Sequence, residues 1–324
     1  MAICLKSCHH SLCSERSFAV RIAVTGATGF VGRFLVARLL GSGHSVHALL
    51  HRNRLDSTGL SVNNLRWFHG AMDDLSSLAA LVENCDAVVH AAFEHAPGRY
   101  RGGEGRDPAR FEAVNLDATT AFFELLRQHA VKKTVFLSSR AVFDGYVAGA
   151  QGIDDNAEAK PTTLYGRIKA DVERIGDSMQ EIGFCSLRPT GIYANPCLPG
   201  IDKWRELITH AARASQLTGS YSDQQRTEVH VDDVALAIEL LLTQQIEAVP
   251  LKHFNCSDIQ VSEHQLIALV RTIVTGQSVN AEELPTGTPA TNPMRCDKLH
   301  ALGWRPGGMP KLIATLRESV AALT

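Results

Sequence analysis

The sequence predicts an α/β protein in which a doubly wound parallel sheet is followed by a smaller and less regular lobe. From Val20 onward, short β-branched runs alternate with amphipathic stretches, which is the pattern of repeated βαβ units. After Pro189 this alternation ends, and segments rich in Pro and Gly surround separate helices at about 203–215, 232–244, 262–275 and 310–323.

The same change of pattern sets the expected domain boundaries. We expect residues 1–19 to form a disordered leader and 20–189 to form the sheet domain, which also receives the helix at 232–244 and the strand after it. Residues 190–324 then form mainly the smaller lobe. A chain of 324 residues with 45% hydrophobic content is long enough for two unequal domains with a sizeable core.

The charge pattern argues against several classes of partner. The 32 basic and 34 acidic residues are mixed along the chain, so no basic field is available for nucleic acid or an anionic membrane surface. No apolar run suits a transmembrane helix or a secretory signal, and we expect a cytoplasmic protein that acts on a small molecule. The eight cysteines show no spacing that indicates a disulfide framework. We also expect no metal site. The one cluster of possible ligands lies near the N-terminus, and its spacing fits no structural zinc pattern: Cys4, Cys8, His9, His10 and Cys13.

The first strand, in VRIAVTG, leads into the glycine loop TGATGFVG and then into a helix. Glycines in such a loop allow a tight turn and close approach of the backbone to a pyrophosphate, while the helix N-terminus offers unpaired N–H groups. The sequence therefore predicts a Rossmann-type dinucleotide site at Gly26, Thr28, Gly29, Phe30, Val31 and Gly32.

The end of the second strand favours NADP over NAD. An acidic residue there usually holds the ribose hydroxyls of NAD, but the chain reads LLHRNR, with no acid. Arg52, with His51 and Arg54, could pair with a 2′-phosphate, and Arg33 could help. Solvated loop charges would give the same pattern, so NAD stays open.

Tyr165 and Lys169, in LYGRIK, are four residues apart on a predicted helix, so their side chains rise from one face. Such a lysine can hold a nicotinamide ribose and lower the pKa of the phenol, which makes the tyrosine a usable acid or base. Ser138 and Ser139 end the preceding strand at the carboxyl edge of the sheet, where a hydroxyl can bond a substrate oxygen.

These motifs together resemble the extended short-chain dehydrogenase/reductases, the NAD(P)-dependent epimerase/dehydratase family. TGATGFVG, VVHAA, VNLDATTAF, FLSSRAVF, LYGRIK, LRPTGIY, VHVDDVALA and CDKLHALGWRP stand in the family order over roughly residues 20–306. The resemblance implies a catalytic set of Ser139, Tyr165 and Lys169, with Tyr165 as the acid/base. It also implies that the cofactor site is lined by Ala91, Ala92, Asn115 and Pro189.

Several positions depart from the family pattern. Arg140 and Ala141 stand where family dehydratases carry Asp and Glu, which makes a 4,6-dehydratase improbable. Gly191 replaces an Asn of nucleotide-sugar epimerases, whereas Arg226 matches a position that can meet a substrate phosphate. GAMDD replaces the usual adenine-side motif, so Ala71 and Met72 offer packing and backbone contacts only.

The candidates for substrate contact are Phe93, Arg140 and Arg226. Phe93 belongs to a long loop at 90–105, which is either a flap over the substrate or a solvated loop.

Three functions remain compatible with the sequence. The first is an oxidoreductase that transfers a hydride between NAD(P) and a secondary alcohol or carbonyl of a sugar-like molecule. The second is an NAD(P)-dependent sugar epimerase, possible with the same three residues. The third, a dinucleotide sensor without activity, is disfavoured because Tyr165 and Lys169 are both present. The helices at 111–129 and 164–182 could also pair in a homodimer.

Overall fold

The computed structural model describes residues 19–51, 63–95, 104–147, 149, 152–198, 200–201, 203–214, 220–243, 252–277 and 284–323. The strands in these ranges are β1 (Arg21–Thr25), β2 (Ser45–Leu50), β3 (Leu65–His69), β4 (Ala87–His90), β5 (Lys133–Leu137), β6 (Phe184–Pro189), β7 (Gly191–Tyr193), β8 (Arg226–His230), β9 (His253–Cys256) and β10 (Ile259–Val261).

The main sheet has the order β3-β2-β1-β4-β5-β6-β9, and all its pairings are parallel. The strand order reverses between β1 and β4, and in such sheets ligands bind outside the carboxyl ends of the strands at this point. The predicted doubly wound Rossmann-type sheet is confirmed.

Helices cover both faces of the sheet, as strands that are apolar on both sides require. The helices are α1 (Phe30–Gly41), α2 (Leu75–Val82), α3 (Pro108–Glu112), α4 (Ala118–Gln128), α5 (Leu164–Ser178), α6 (Arg205–Arg213), α7 (Val231–Thr243), α8 (Glu263–Val274), α9 (Asp297–Ala301) and α10 (Gly308–Ala321). One apolar core joins the sheet to α1 and α7, and a second joins it to α2, α4 and α5. None of the helices in the described ranges is long and apolar enough to cross a membrane.

The single helix expected at 111–129 is interrupted in the structure. It begins with α3, where Asp107 accepts a hydrogen bond from the Arg110 N–H and Pro108 fits the first turn. A π-helical turn, Ala113–Asp117, then separates α3 from α4. This turn carries Asn115, which is buried.

The second lobe is more regular than the sequence indicated. Parallel β7 and β8, with antiparallel β10, form a small sheet. A core of α6, α8 and α10 side chains packs with Tyr193 of β7. Strands as short as β7 and β10 carry too little alternation to be recognised in the sequence.

Late parts of the chain return to the first core. The β9 strand pairs with β6 at the edge of the main sheet. Trp304 is fully buried among the α1 and α7 side chains, and its indole N–H donates to the Asp233 carbonyl over 2.9 Å.

Candidate active site

The glycine loop lies directly on the end of β4. Gly26 has a left-handed backbone, with φ of +71°, and a Cβ there would lie 2.6 Å from the backbone of Ala91 and Ala92. At Gly32, a Cβ would overlap the carbonyl of Gly26. Glycine is therefore required at both positions, and α1 begins immediately above the strand ends.

The first turn of α1 is suited to an anionic ligand. Its N-cap, Gly29, has no side chain to bond the first N–H groups of the helix. Such N–H groups, with the positive end of the helix dipole, bind pyrophosphate groups. The loop therefore fits a dinucleotide cofactor such as NAD(P).

His90, at the end of β4, joins several parts of the site. Its Nδ1 lies 2.7 Å from Thr25 Oγ1, and its Nε2 lies 3.0 Å from Thr119 Oγ1. Thr119 donates its hydroxyl hydrogen to the Asn115 carbonyl over 2.7 Å, so its oxygen accepts a hydrogen bond from the N–H at His90 Nε2. Burial, followed by the charge of Lys169, lowers the pKa of His90 to about 3, and the ring is therefore neutral.

Asn115 fixes the backbone that leaves β4. Its Oδ1 accepts from the Glu94 N–H over 2.7 Å, and its Nδ2 donates to the carbonyls of Glu94 and Phe111, each over 2.9 Å. These contacts hold the chain on either side of Phe93. The resemblance predicts that Asn115 lines the cofactor site, and the described contacts add that its amide positions the neighbouring loop.

Ser139 stands at the start of a short 3₁₀ turn, Arg140–Phe143. Its Oγ accepts a hydrogen bond from the Ala141 N–H over 3.1 Å. This contact uses the hydroxyl as an acceptor and leaves its proton for another oxygen. Ser139 is half-buried, whereas Ser138 is buried.

The structure brings Tyr165 and Lys169 together on one face of α5, with Phe93 against both. The Tyr165 and Phe93 rings meet edge to face, with their centres 5.1 Å apart. The Lys169 Nζ lies 4.2 Å from the centre of the Phe93 ring and 4.5 Å from that of Phe136. It also donates to the Leu137 carbonyl over 2.7 Å, beside the end of β5.

Lys169 changes between its charged and neutral forms near neutral pH. The side chain is 3% exposed, and burial lowers its pKa to about 7, although the Glu173 carboxylate acts in the opposite direction. A lysine in this environment can gain or lose its proton under physiological conditions.

Arg140 links the 3₁₀ turn that follows Ser139 to the second lobe. Its Nη2 donates to the Thr291 carbonyl over 3.1 Å and to the Asn292 carbonyl over 3.2 Å. The Asn292 side chain in turn accepts from the Gly149 N–H and donates to the Tyr146 carbonyl. The sequence did not indicate this contact, because Arg140 and Thr291 are 151 residues apart. Contact of Arg140 with a substrate stays a prediction.

The other predicted site residues are more dispersed. Ala71 and Met72 follow β3, and Pro189 ends β6 in a buried position. Arg226 is exposed at the start of β8. Arg52 and Arg54 lie outside the described residues, as does the terminal Cys/His cluster.

A partly buried ion pair near Gly191 was not expected from the sequence. Glu228 of β8 is 3% exposed and pairs closely with Lys203. A Cβ at Gly191 would overlap the Glu228 carboxylate and would lie 2.6 Å from the Lys203 Nζ. Gly191, at a position where family epimerases carry Asn, was the one sign in the sequence that this space is occupied differently. The sequence could not show that Glu228 and Lys203 fill it, because they come from other segments of the chain.

Comparison with protein families gives one match over most of the chain. Residues 22–257 match the model described as the NAD dependent epimerase/dehydratase family.

Two curated relatives illustrate the range of that similarity. A 3 beta-hydroxysteroid dehydrogenase/Delta 5→4-isomerase from Mycobacterium tuberculosis is 31% identical over 185 residues, which are 54% of this chain and 48% of the relative. The chain thus matches about half the length of that protein. A UDP-glucose 4-epimerase from Lacticaseibacillus casei is 26% identical over 326 residues, which cover 91% of this chain and 95% of the relative.

Solved structures share the fold. A UDP-glucuronic acid 4-epimerase from Bacillus cereus, in complex with UDP-4-deoxy-4-fluoro-glucuronic acid and NAD, superposes with a TM-score of 0.73 at 20% identity. The match covers 94% of this chain and 100% of the epimerase chain.

Proposed function

Because the chain belongs to the NAD-dependent epimerase/dehydratase family, we propose that it is an NAD(P)-dependent oxidoreductase acting on a secondary alcohol or carbonyl of a sugar-like small molecule. The observation that carries this proposal is the pairing of Tyr165 with the buried Lys169 on one face of α5, beside the strand end that leads to Ser139.

Each of these three residues has a separate task in the proposed reaction. Tyr165 takes the proton of the substrate hydroxyl during oxidation and returns it during reduction. The Lys169 ammonium stabilises the phenolate that this exchange requires. Ser139 donates a hydrogen bond to the same substrate oxygen, where negative charge develops.

The cofactor is held by the glycine loop and the strand ends beneath it. Gly26 and Gly29 let a pyrophosphate approach the first turn of α1, and the backbone of Ala91 and Ala92 lies directly against Gly26. Bound NAD(P) supplies the acceptor or donor of the hydride. The preference for NADP rests on the absence of an acidic residue after β2, where His51 is exposed and Arg52 follows.

Epimerisation is the second candidate. The Lacticaseibacillus casei relative, which spans nearly all of the chain, is a UDP-glucose 4-epimerase. The ion pair of Glu228 and Lys203 beside Gly191 argues for a different substrate, since it fills the space that an Asn side chain would need.

Assays with a substrate panel separate these functions. We would incubate the protein with UDP-sugars, free sugars and a 3 beta-hydroxysteroid, with NAD or NADP, and follow both product stereochemistry and absorbance at about 340 nm. Stoichiometric NAD(P)H formation supports the oxidoreductase, whereas inversion without net absorbance change supports the epimerase. Cofactor binding without conversion of any compound supports the non-catalytic sensor.

Titration with each dinucleotide tests the cofactor preference, and tighter binding of NAD would contradict it. A homodimer and a cytoplasmic location stay predictions, which size-exclusion chromatography with light scattering and localisation of a tagged chain would check.

A further inference from the structure

A buried carboxylate lies one helical turn beyond Lys169. Glu173 is 3% exposed, and such a burial is costly unless the charge is paired and hydrogen-bonded. Arg188 of β6 supplies a two-point contact, with Nε 2.9 Å from Oε1 and Nη2 2.6 Å from Oε2. Ser186 donates its hydroxyl to Oε1 over 2.9 Å. Three hydrogen bonds thus fix the carboxylate in one orientation.

The contacts of Glu173 continue to the surface and to the 3₁₀ turn at Arg140–Phe143, called the catalytic turn below because Ser139 precedes it. Ser186 Oγ lies 2.9 Å from His253 Nδ1, and His253 Nε2 lies 3.1 Å from Asp177 Oδ2. The Arg188 guanidinium stacks on the Phe143 ring, 4.9 Å from its centre. Because Phe143 ends the turn that Ser139 begins, this network braces α5 against the catalytic turn.

Among the described residues, Glu173 is the carboxylate that acts on the charge of Lys169. Two aromatic rings and the Leu137 carbonyl face its ammonium. The ionisable groups around it are Tyr165 and Glu173 from its own helix and the neutral His90 from β4, while Arg188 lies behind Glu173. The spacing of four residues on α5 places Glu173 on the same face of the helix as the lysine, one turn further along, where its carboxylate acts on the ammonium through its charge.

We infer that Glu173 is a positioning residue, whose carboxylate, held by Arg188 and Ser186, keeps the buried Lys169 in its ammonium form. This inference rests on the proposed function for the role of Lys169. It gives Glu173 no contact with substrate, and its effect passes through the lysine charge.

The test measures the protonation of Lys169 directly. Lysine side chains labelled with carbon-13 at Cε are followed by NMR against pH in the chain without cofactor or substrate, and the Lys169 signal is assigned by its loss in Lys169→Met. We expect Glu173→Gln to lower the pH midpoint of that signal by about one unit, since removal of a neighbouring opposite charge has effects of this size. A folded Glu173→Gln protein with the wild-type midpoint overturns the inference.

A matched control removes a comparable carboxylate elsewhere. Glu239 of α7 is 9% exposed and pairs with Arg38 of α1 at 2.5 Å, away from the candidate active site. Glu239→Gln should leave the Lys169 midpoint unchanged even if it destabilises the fold. An equal shift of the Lys169 midpoint in both variants would show that the shift comes from general destabilisation of the fold, and it would also contradict the inference.

A second variant is available if Glu173→Gln does not fold. Removing one partner of a buried ion pair leaves an unpaired charge and is more destabilising than removing both. The same titration is then made with the double variant Glu173→Gln and Arg188→Gln. The midpoint should again fall, and an unchanged value rejects the inference. Because this measurement needs no turnover, a lowered midpoint in a protein that converts no substrate would refute the proposed function and leave the coupling of Glu173 to Lys169 intact.

Discussion

Gly166 of α5 packs directly on Ala141 of the 3₁₀ turn that follows Ser139. A Cβ at position 166 would lie 2.5 Å from the Ala141 carbonyl oxygen, which is too close for any L side chain without movement of the backbone. Tyr165 precedes this glycine, and Ser139 lies two residues before Ala141. The distance between the two proposed catalytic side chains therefore depends on the absence of a side chain at 166.

Gly166→Ala should separate α5 from the 3₁₀ turn at Arg140–Phe143. We expect a loss of stability of about 1–3 kcal/mol from overpacking, together with a fall in kcat/KM of about 10-fold or more, since small misplacements are costly in catalysis. Chemical denaturation and steady-state assays measure the two effects. Gly41→Ala is the control, because a Cβ at this helical glycine meets nothing within 4 Å. Equal activity in both variants would contradict the importance of this contact.

Tyr165→Phe should abolish most turnover while cofactor binding persists. Removal of a general acid/base costs about 10²- to 10⁴-fold in rate, and the phenyl ring retains the edge-to-face contact with Phe93. Cofactor affinity by fluorescence titration and kcat by product analysis are the measurements. Tyr146→Phe loses only a hydroxyl that donates to the Glu158 carbonyl near the surface, and it should retain wild-type activity. Turnover at the wild-type rate in Tyr165→Phe would reject the catalytic assignment.

Lys169→Met should stabilise the fold as it inactivates the enzyme. Burial lowers the pKa of Lys169 from 10.5 to about 7, so between these values the unfolded chain binds more protons and stability rises with pH. Below about pH 7 the folded chain carries the full cost of the buried ammonium. Replacement by an apolar side chain of similar length should add about 1–3 kcal/mol at pH 6, with a smaller gain at pH 9. Urea unfolding at both pH values checks this, and a destabilised variant at pH 6 would be inconsistent with it.

His90→Gln should reduce the sensitivity of the fold to acid. The pKa of His90 falls from 6.5 to about 3 on folding, so the unfolded chain binds the additional proton between these values and stability is lost as pH falls below 6.5. One such proton accounts for up to about 1.4 kcal/mol per pH unit. Unfolding free energies at pH 7 and pH 5 should therefore differ less in the variant than in the wild type. An identical difference in both proteins would show that His90 does not carry this dependence.

Arg140→Ala should raise the KM for substrate by several-fold if the guanidinium also reaches an anionic substrate group. The variant loses the hydrogen bonds to the Thr291 and Asn292 carbonyls in any case. Asn292→Ala provides the comparison, because it loosens the same segment and leaves the guanidinium in place. A raised KM in Arg140→Ala alone supports substrate contact, and a wild-type KM restricts Arg140 to joining the lobes.

Local patterns in the sequence were sufficient for the main sheet, the glycine loop and the Tyr165 and Lys169 face of α5. The loop and the helix face each lie within one turn or one element, so spacing alone defines their geometry, and the sheet follows from the alternation of strands and helices along the chain. The pairing of Glu173 with Arg188 and the contact of Arg140 with Thr291 join separate elements, and a single sequence holds no local signal for either. Asn115 is buried within a π-helical turn, and the periodicity of an α-helix does not reveal such a turn. Family membership and fold class are confirmed, whereas the roles of the site residues remain predictions.

The position of Trp304 bears on how the chain folds during synthesis. The ribosome releases a chain from its N-terminus, and domains generally fold as units once all their parts have emerged. Here the core beneath α1 and α7 is completed by an indole more than 270 residues after β1, and the sheet edge at β6 waits for β9. The sheet domain therefore leaves the ribosome with an open edge at β6 and an incomplete core, which expose unpaired backbone groups and apolar side chains until the last segments arrive.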